Sequence, residues 1–419
     1  MTAAVKGPSV AVPVQHAKAP ATRIAIGVIA GCMLYEMMAY GILISSFTFF
    51  VDIWVREFNA THSSVMLCIT LMILCSAVVA PLIGAALDRY SARYLTTAAI
   101  FGLAVALLCL SVARELYHLL AIYALLVSPI VNMLGTGSSH PLAARWFPHR
   151  PGRAIGIVTL GIAIGGVLIP PVVIVLLGEY EWRTVLRLLA LVVAFIGAPI
   201  CFALVRDGEK RAQASADNVA PSDWTIGRLL RDPSLWMLMM AIVPLVAVFN
   251  TFQVHLAVYA REEQLSLQQA AFLVSTLSFA AVIGKFLGGA LSDRFSTPVL
   301  LIASGTTIFL GLLFASFVDY GMTGKVIAML LIGIPGGGGL TLMGAALCRM
   351  YGPQSLGRAV GCAVVPLSLC GFAAPAVAII RDQLGDYDTT FLALTFIIIP
   401  TIVSAVLIQL RHSRTVRAS

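Results

Sequence analysis

Two charged residues stand in stretches that otherwise read as apolar helix: Glu36 in GCMLYEMMAYG and Lys285 in SFAAVIGKFLGGALSDRFS. A carboxyl can take up and release a proton, or hold a cation. An ammonium brings a full positive charge and three donors, which suits a carboxylate. Tyr40 lies four residues after Glu36 and shares its helix face. Asn132, Asn250 and Gln253 add neutral donors and acceptors in other apolar runs, the last two near one helix face. Tyr35 and His255 are further polar candidates, although a lone His or Asn in such a run also serves to hydrogen-bond a neighbouring helix. This is binding chemistry rather than catalysis. H-E-x-x-H, G-x-S-x-G and P-loop motifs are absent from the sequence. The eight cysteines include no C-x-x-C pair and fall within or at the inner ends of apolar runs. Neither disulfides nor a metal site is expected, and no cofactor is implied.

The elements that position these residues follow from composition. The chain has 419 residues, 59% hydrophobic and 11% charged, with a mean hydropathy of +0.96. A soluble domain carries about 25% charged residues. So much apolar surface implies an all-α membrane protein. Twelve runs are long enough to span a bilayer: 24–50, 63–87, 95–113, 117–144, 154–178, 184–205, 234–259, 268–291, 298–317, 325–347, 358–380 and 390–410. The polar, Ala/Ser-rich stretch 206–231 separates six spans (24–205) from six (232–410) and ends in a short amphipathic segment. Residues 1–23 have no apolar core and read as a disordered tail, with 411–419 as a second tail. Nineteen of the 27 Lys and Arg residues fall on the linker side of the spans and seven on the other; Lys285 is the one left over. That bias predicts a cytoplasmic linker and cytoplasmic termini. It also explains the net charge of +8 without a nucleic-acid partner. Glu36 is the acid left over by the same accounting.

GAALDRYS (84–91) recurs as GALSDRFS (289–296), and GRAIG (152–156) as GRAVG (357–361). Both matches have the same offset, which relates Asp88 to Asp293, Arg89 to Arg294 and Arg153 to Arg358. The chain therefore reads as two parallel six-helix pseudo-repeats, an architecture that places a site between its halves near the bilayer midplane. Asp88 and Asp293 close the linker ends of the second and eighth spans. There each can pair with an arginine or face the positive N-terminus of a neighbouring helix. Arg145 and Arg153 are candidates in the first half, Arg349 and Arg358 in the second. Topology alone is the blander account of these basic residues. The glycine run GIPGGGGLTLMG (333–344) reads as close helix packing, with a bending point as the alternative.

With Gly84, Asp88, Arg89, Tyr90 and Arg93 in the first half, and Gly289, Asp293, Arg294 and Phe295 in the second, the chain resembles a major facilitator superfamily transporter over nearly its whole length. YGILISSFTFFVDIWVREF (40–58), RWFPHRPGRAIGIVTLGIAIGGVLIPP (145–171) and a cation just before the second Asp-Arg pair resemble the monocarboxylate porter branch and its oxalate/formate-exchanger relatives. That branch usually carries Arg where Lys285 stands, and its animal members often carry Asp where Ala281 stands. The resemblance implies the major facilitator fold, a substrate-binding cation at Lys285 and gating by Asp88, Arg89, Arg153, Asp293, Arg294 and Arg358. It also implies a monomer in a bacterial inner membrane.

The leading expectation is a secondary transporter of small organic anions, with Lys285, Tyr40, Asn132, Asn250 and Gln253 around the anion and Glu36 carrying a coupled proton. Two structural uses compete for Lys285: an internal pair with Glu36, and snorkelling of the amine to the linker-side surface. A multidrug or organic-cation antiporter using Glu36 is the functional rival, and a positive Lys285 in the same cavity opposes it. A membrane sensor that kept the fold is the remaining class, but short tails and a short linker leave no room for an output domain.

Overall fold

The computed structural model describes residues 20–207, 224–317 and 321–418. The expected N-terminal tail up to residue 19 and most of the linker lie outside these residues. Among the described residues all regular structure is helical. Backbone amides in a bilayer must be paired internally, and a helix does this within one segment.

Among the described residues twelve helices are long and apolar enough to cross a membrane. They are α1 (Arg23–Glu57), α2 (His62–Arg89), α3 (Ala92–Ser111), α4 (Leu116–Trp146), α5 (Pro151–Glu179), α6 (Trp182–Leu204), α7 (Pro233–Leu256), α8 (Gln268–Ser292), α9 (Thr297–Phe317), α10 (Gly321–Tyr351), α11 (Leu356–Leu384) and α12 (Thr389–Leu410). Several outrun the apolar runs. The first continues through a π-helical stretch, Gly41–Ser45, to Glu57 rather than stopping near residue 50. The last helix continues to Ala418, because no Gly or Pro interrupts the basic segment after Leu410. The short amphipathic segment before α7 is helical over Ile226–Arg231, capped by the Thr225 hydroxyl.

Each half has its own buried core. In the first, Phe47, Phe50, Trp54, Tyr123 and Trp182 form an aromatic cluster. In the second, Phe252, Tyr259, Tyr387 and Phe391 do the same. Large apolar side chains such as Val78, Phe195 and Phe396 are at least 70% exposed, which assigns their faces to lipid.

The halves meet chiefly along two junctions, α2 against α11 and α5 against α8, and α10 also packs on α4 and α5. Both junctions depend on the absence of side chains. A Cβ on Gly84 would come within 2.1 Å of the Gly357 carbonyl oxygen, and one on Gly289 within 2.4 Å of the Gly152 carbonyl oxygen. The glycine run of α10 is one continuous helix, and its Gly337 sits directly against Ala281 of α8. These glycines therefore serve close packing, the blander of the two expectations.

Candidate substrate site between the halves

Two of the helices that form the interface are interrupted where polar residues gather. In α4 the helix breaks at Leu134–Gly135 and restarts at Thr136. Gly135 has an extended backbone and lies against the ring of Tyr40; a Cβ there would sit 2.9 Å from the Tyr40 hydroxyl. The restart aims Ser138 and Ser139 at α1. Ser138 Oγ hydrogen-bonds the Tyr35 hydroxyl at 2.8 Å, and Ser139 Oγ donates to Glu36 Oε1 at 2.5 Å. Glu36 is wholly buried, and its Oε2 has no hydrogen-bond partner. In α5 the interruption is at Thr159. Its carbonyl accepts from Lys285 Nζ at 3.4 Å, and its hydroxyl pairs with Thr341 Oγ1 of α10 at 3.2 Å.

The direction of Lys285 is informative. Its own carbonyl lies at the level of Gly156, but its amine reaches the carbonyl of Thr159. Three residues along α5 is about 4.5 Å further from the linker side. The Cα–Cβ bond of a helix tilts toward its N-terminus, which for α8 is the far side. The amine therefore points toward the membrane centre, opposite to a snorkelling lysine. It makes no ion pair with any carboxylate among the described residues. Glu36 lies within its electrostatic reach but not in contact.

The other expected residues are placed differently. Asn132 donates both amide hydrogens inside the first half, to Ser76 Oγ and the Ser128 carbonyl, each at 2.8 Å. Asn250 is half-buried and Gln253 exposed, and neither side chain forms a hydrogen bond among the described residues. His255 bonds the Tyr387 hydroxyl and the Ala374 carbonyl, each at 2.9 Å, and so ties α7 to α11 and the start of the last helix. Ser138, Ser139, His140, Thr159 and Thr341 join the candidate residues only through the structure. The signal available was the run TGSSH (136–140), five small or polar residues inside an apolar stretch.

At the linker side the two conserved-offset aspartates cross between halves. Asp88 Oδ2 accepts from the Arg358 amide at 2.9 Å and its Nε at 3.1 Å, while Oδ1 accepts from Arg145 at 2.8 Å. Asp293 accepts from the amides of Gly152 and Arg153, at 2.8 and 3.0 Å. Each aspartate thus caps the first turn of a helix in the opposite half, where unpaired amides and the helix dipole favour an anion. Arg89 lies over Tyr90, and Arg349 donates to the Phe295 carbonyl. Arg153 and Arg294 form no side-chain ion pair among the described residues. These contacts join the two halves at the linker side.

A profile of the Major Facilitator Superfamily matches residues 29–375 and 259–418. The chain belongs to that superfamily. Among its curated relatives, monocarboxylate transporter 13 of Bos taurus is 24% identical over 92% of this chain and 89% of its own. The Rattus norvegicus protein of the same name is 24% identical over 92% and 88%, and an MFS-type transporter of Aspergillus fumigatus is 24% identical over 67% and 68%. Solved superfamily structures share the fold. The E. coli fucose:proton symporter FucP superposes with a TM-score of 0.67 at 14% identity, over 92% of this chain and 98% of that one. The human organic anion transporter MFSD10 gives 0.67 at 15% identity, over 93% and 100%. This superfamily member is a multi-pass membrane transporter.

Proposed function

We propose that this protein is a secondary transporter of small organic anions, monocarboxylates first, that works by alternating access. The observation that carries the reading is Lys285: a cation at the junction of the halves, turned toward the membrane centre, with a backbone carbonyl as its neighbour and no carboxylate paired with it among the described residues. A charge at such depth is costly unless it serves a pathway or a partner, and an incoming carboxylate is the partner that fits. The names of the full-length relatives support the same class.

In this reading the linker and both termini are cytoplasmic, by the bias of basic residues, in a bacterial inner membrane. Asp88 and Asp293 hold the cytoplasmic side shut while the site faces outward. The anion docks on Lys285 with Tyr40 nearby. Glu36, whose Oε2 is unpaired, gains and loses the coupled proton. The halves then rock about the site. Asn250 and Gln253 join the anion only if α7 moves inward on closure.

The test is uptake of radiolabelled formate, acetate, lactate and oxalate into proteoliposomes, with and without a pH gradient. Saturable uptake of at least one monocarboxylate is expected, and its collapse in Lys285→Gln. Normal transport by that variant, or carriage of organic cations alone, overturns the reading. Single cysteines in the linker should resist impermeant maleimides added outside intact cells.

A further inference from the structure

His140 is a second polar group that the latch-closed structure leaves unsatisfied. Its side chain is wholly buried, and neither Nδ1 nor Nε2 has a hydrogen-bond partner. A neutral imidazole offers one donor and one acceptor, and leaving both unmet in a dry interior is unfavourable. Native proteins hold few such groups. A leucine would fill the space without that penalty, so the ring needs a use elsewhere in the cycle.

Its surroundings locate that use. His140 follows Ser139, the partner of Glu36, and precedes Arg145, the partner of Asp88, by five residues. Along α4 it therefore lies between the polar layer and the latch, about 7.5 Å of helical rise from the latch arginine. Its ring rests on the other half of the molecule: a Cβ on Gly344 of α10 would fall 2.3 Å from His140 Nδ1. Gly344 is three residues beyond Thr341, which bridges to Thr159, the residue holding Lys285. The cover on the ring and the wall of the site are thus one face of one helix, and that helix belongs to the half that must move away when the linker side opens.

We infer that His140 is a ligand for the transported anion in the linker-open state, and that Gly344 is the cover that seals it in the linker-closed state. This rests on the transport reading above. When α10 withdraws, the imidazole lines the way from Lys285 to the linker side and donates to the departing or entering carboxylate. When α10 returns, the ring is shut off from both sides.

Two measurements test it. In a variant lacking the eight native cysteines, His140→Cys in oriented vesicles should react with an impermeant maleimide added on the linker side and not from the opposite side. Adding Asp88→Asn should speed linker-side labelling at least fivefold. Labelling from the opposite side with the latch intact, or none from the linker side, overturns the cover. Second, uptake of formate, acetate and lactate is measured from the linker side in inverted vesicles. His140→Leu should raise the half-saturation concentration about tenfold, or about 1.4 kcal/mol, and His140→Asn, which restores a donor and an acceptor, should recover to within about threefold. A Leu variant with wild-type half-saturation overturns the ligand role. If wild-type protein carries none of these anions, the transport reading itself has failed, an outcome distinct from a carrier that is indifferent to His140.

Discussion

The α2–α11 and α5–α8 junctions are built from equivalent residues of the two repeats, yet they place their charge at opposite depths. At the linker edge of the first, Asp88 is 4% exposed and holds two guanidinium groups as well as an amide. Deeper along the same helix, Ala80 carries nothing polar and meets Gly361. In the second junction the aspartate at the edge, Asp293, has amides alone. Deeper, the position equivalent to Ala80 is Lys285, whose carbonyl meets Gly156 as Ala80's meets Gly361. One junction concentrates its charge at the linker edge; the other also carries a charge at depth. The edge difference has a local cause. The residue equivalent to Arg145 is Met350, and Arg349, one place earlier, projects to Phe295 instead. The repeat supplies the same scaffold twice, and single residue differences give the two junctions different charge.

Removing the deep charge should have the largest effect. Lys285→Gln makes the second junction as neutral at depth as the first, and anion uptake should fall to background while the protein stays folded; Lys285→Arg should retain part of it. Wild-type uptake in the Gln variant would mean that the two junctions do not differ in function.

The edges come next. Asp88→Asn removes the carboxylate that two partly buried guanidinium groups share, at a cost of about 3 kcal/mol to the arrangement seen here. Asp293→Asn gives up mainly the attraction to a helix N-terminus, up to about 1 kcal/mol. Linker-side cysteine accessibility and turnover should change far more in the first variant than in the second, with binding altered only through the competent fraction. Equal effects would erase the comparison. Glu36→Gln should leave exchange of one anion for another intact and abolish accumulation driven by a pH gradient; loss of both at full expression would make Glu36 a structural residue.

The smallest effects sharpen the contrast between the halves themselves. Asn132→Ala deletes two hydrogen bonds inside the first half. It should lower thermal stability by about 1–3 kcal/mol and shift half-saturation less than twofold. Asn250→Ala breaks no bond in this structure and should leave stability unchanged, so any change in half-saturation would report a contact made on closure.

Much of this architecture was legible in the amino-acid order. Apolar run length gave the twelve spans, because a bilayer admits little but helices, and the repeat offset gave the two halves. Counting charges isolated Glu36 and Lys285, because topology accounts for every other charged side chain. Run ends were less legible: α1 and the last helix extend past their apolar stretches because nothing in the polar residues beyond stops a helix. What only the tertiary structure decided is who faces whom. Asp88 and Asp293 cap helices of the opposite half, Lys285 turns inward to Thr159, Asn132 and His255 are spent on packing, and His140 is sealed by Gly344. Each depends on contacts between residues more than fifty positions apart. A one-dimensional pattern fixes which face of a helix is polar, and only the packing of helices fixes what that face meets.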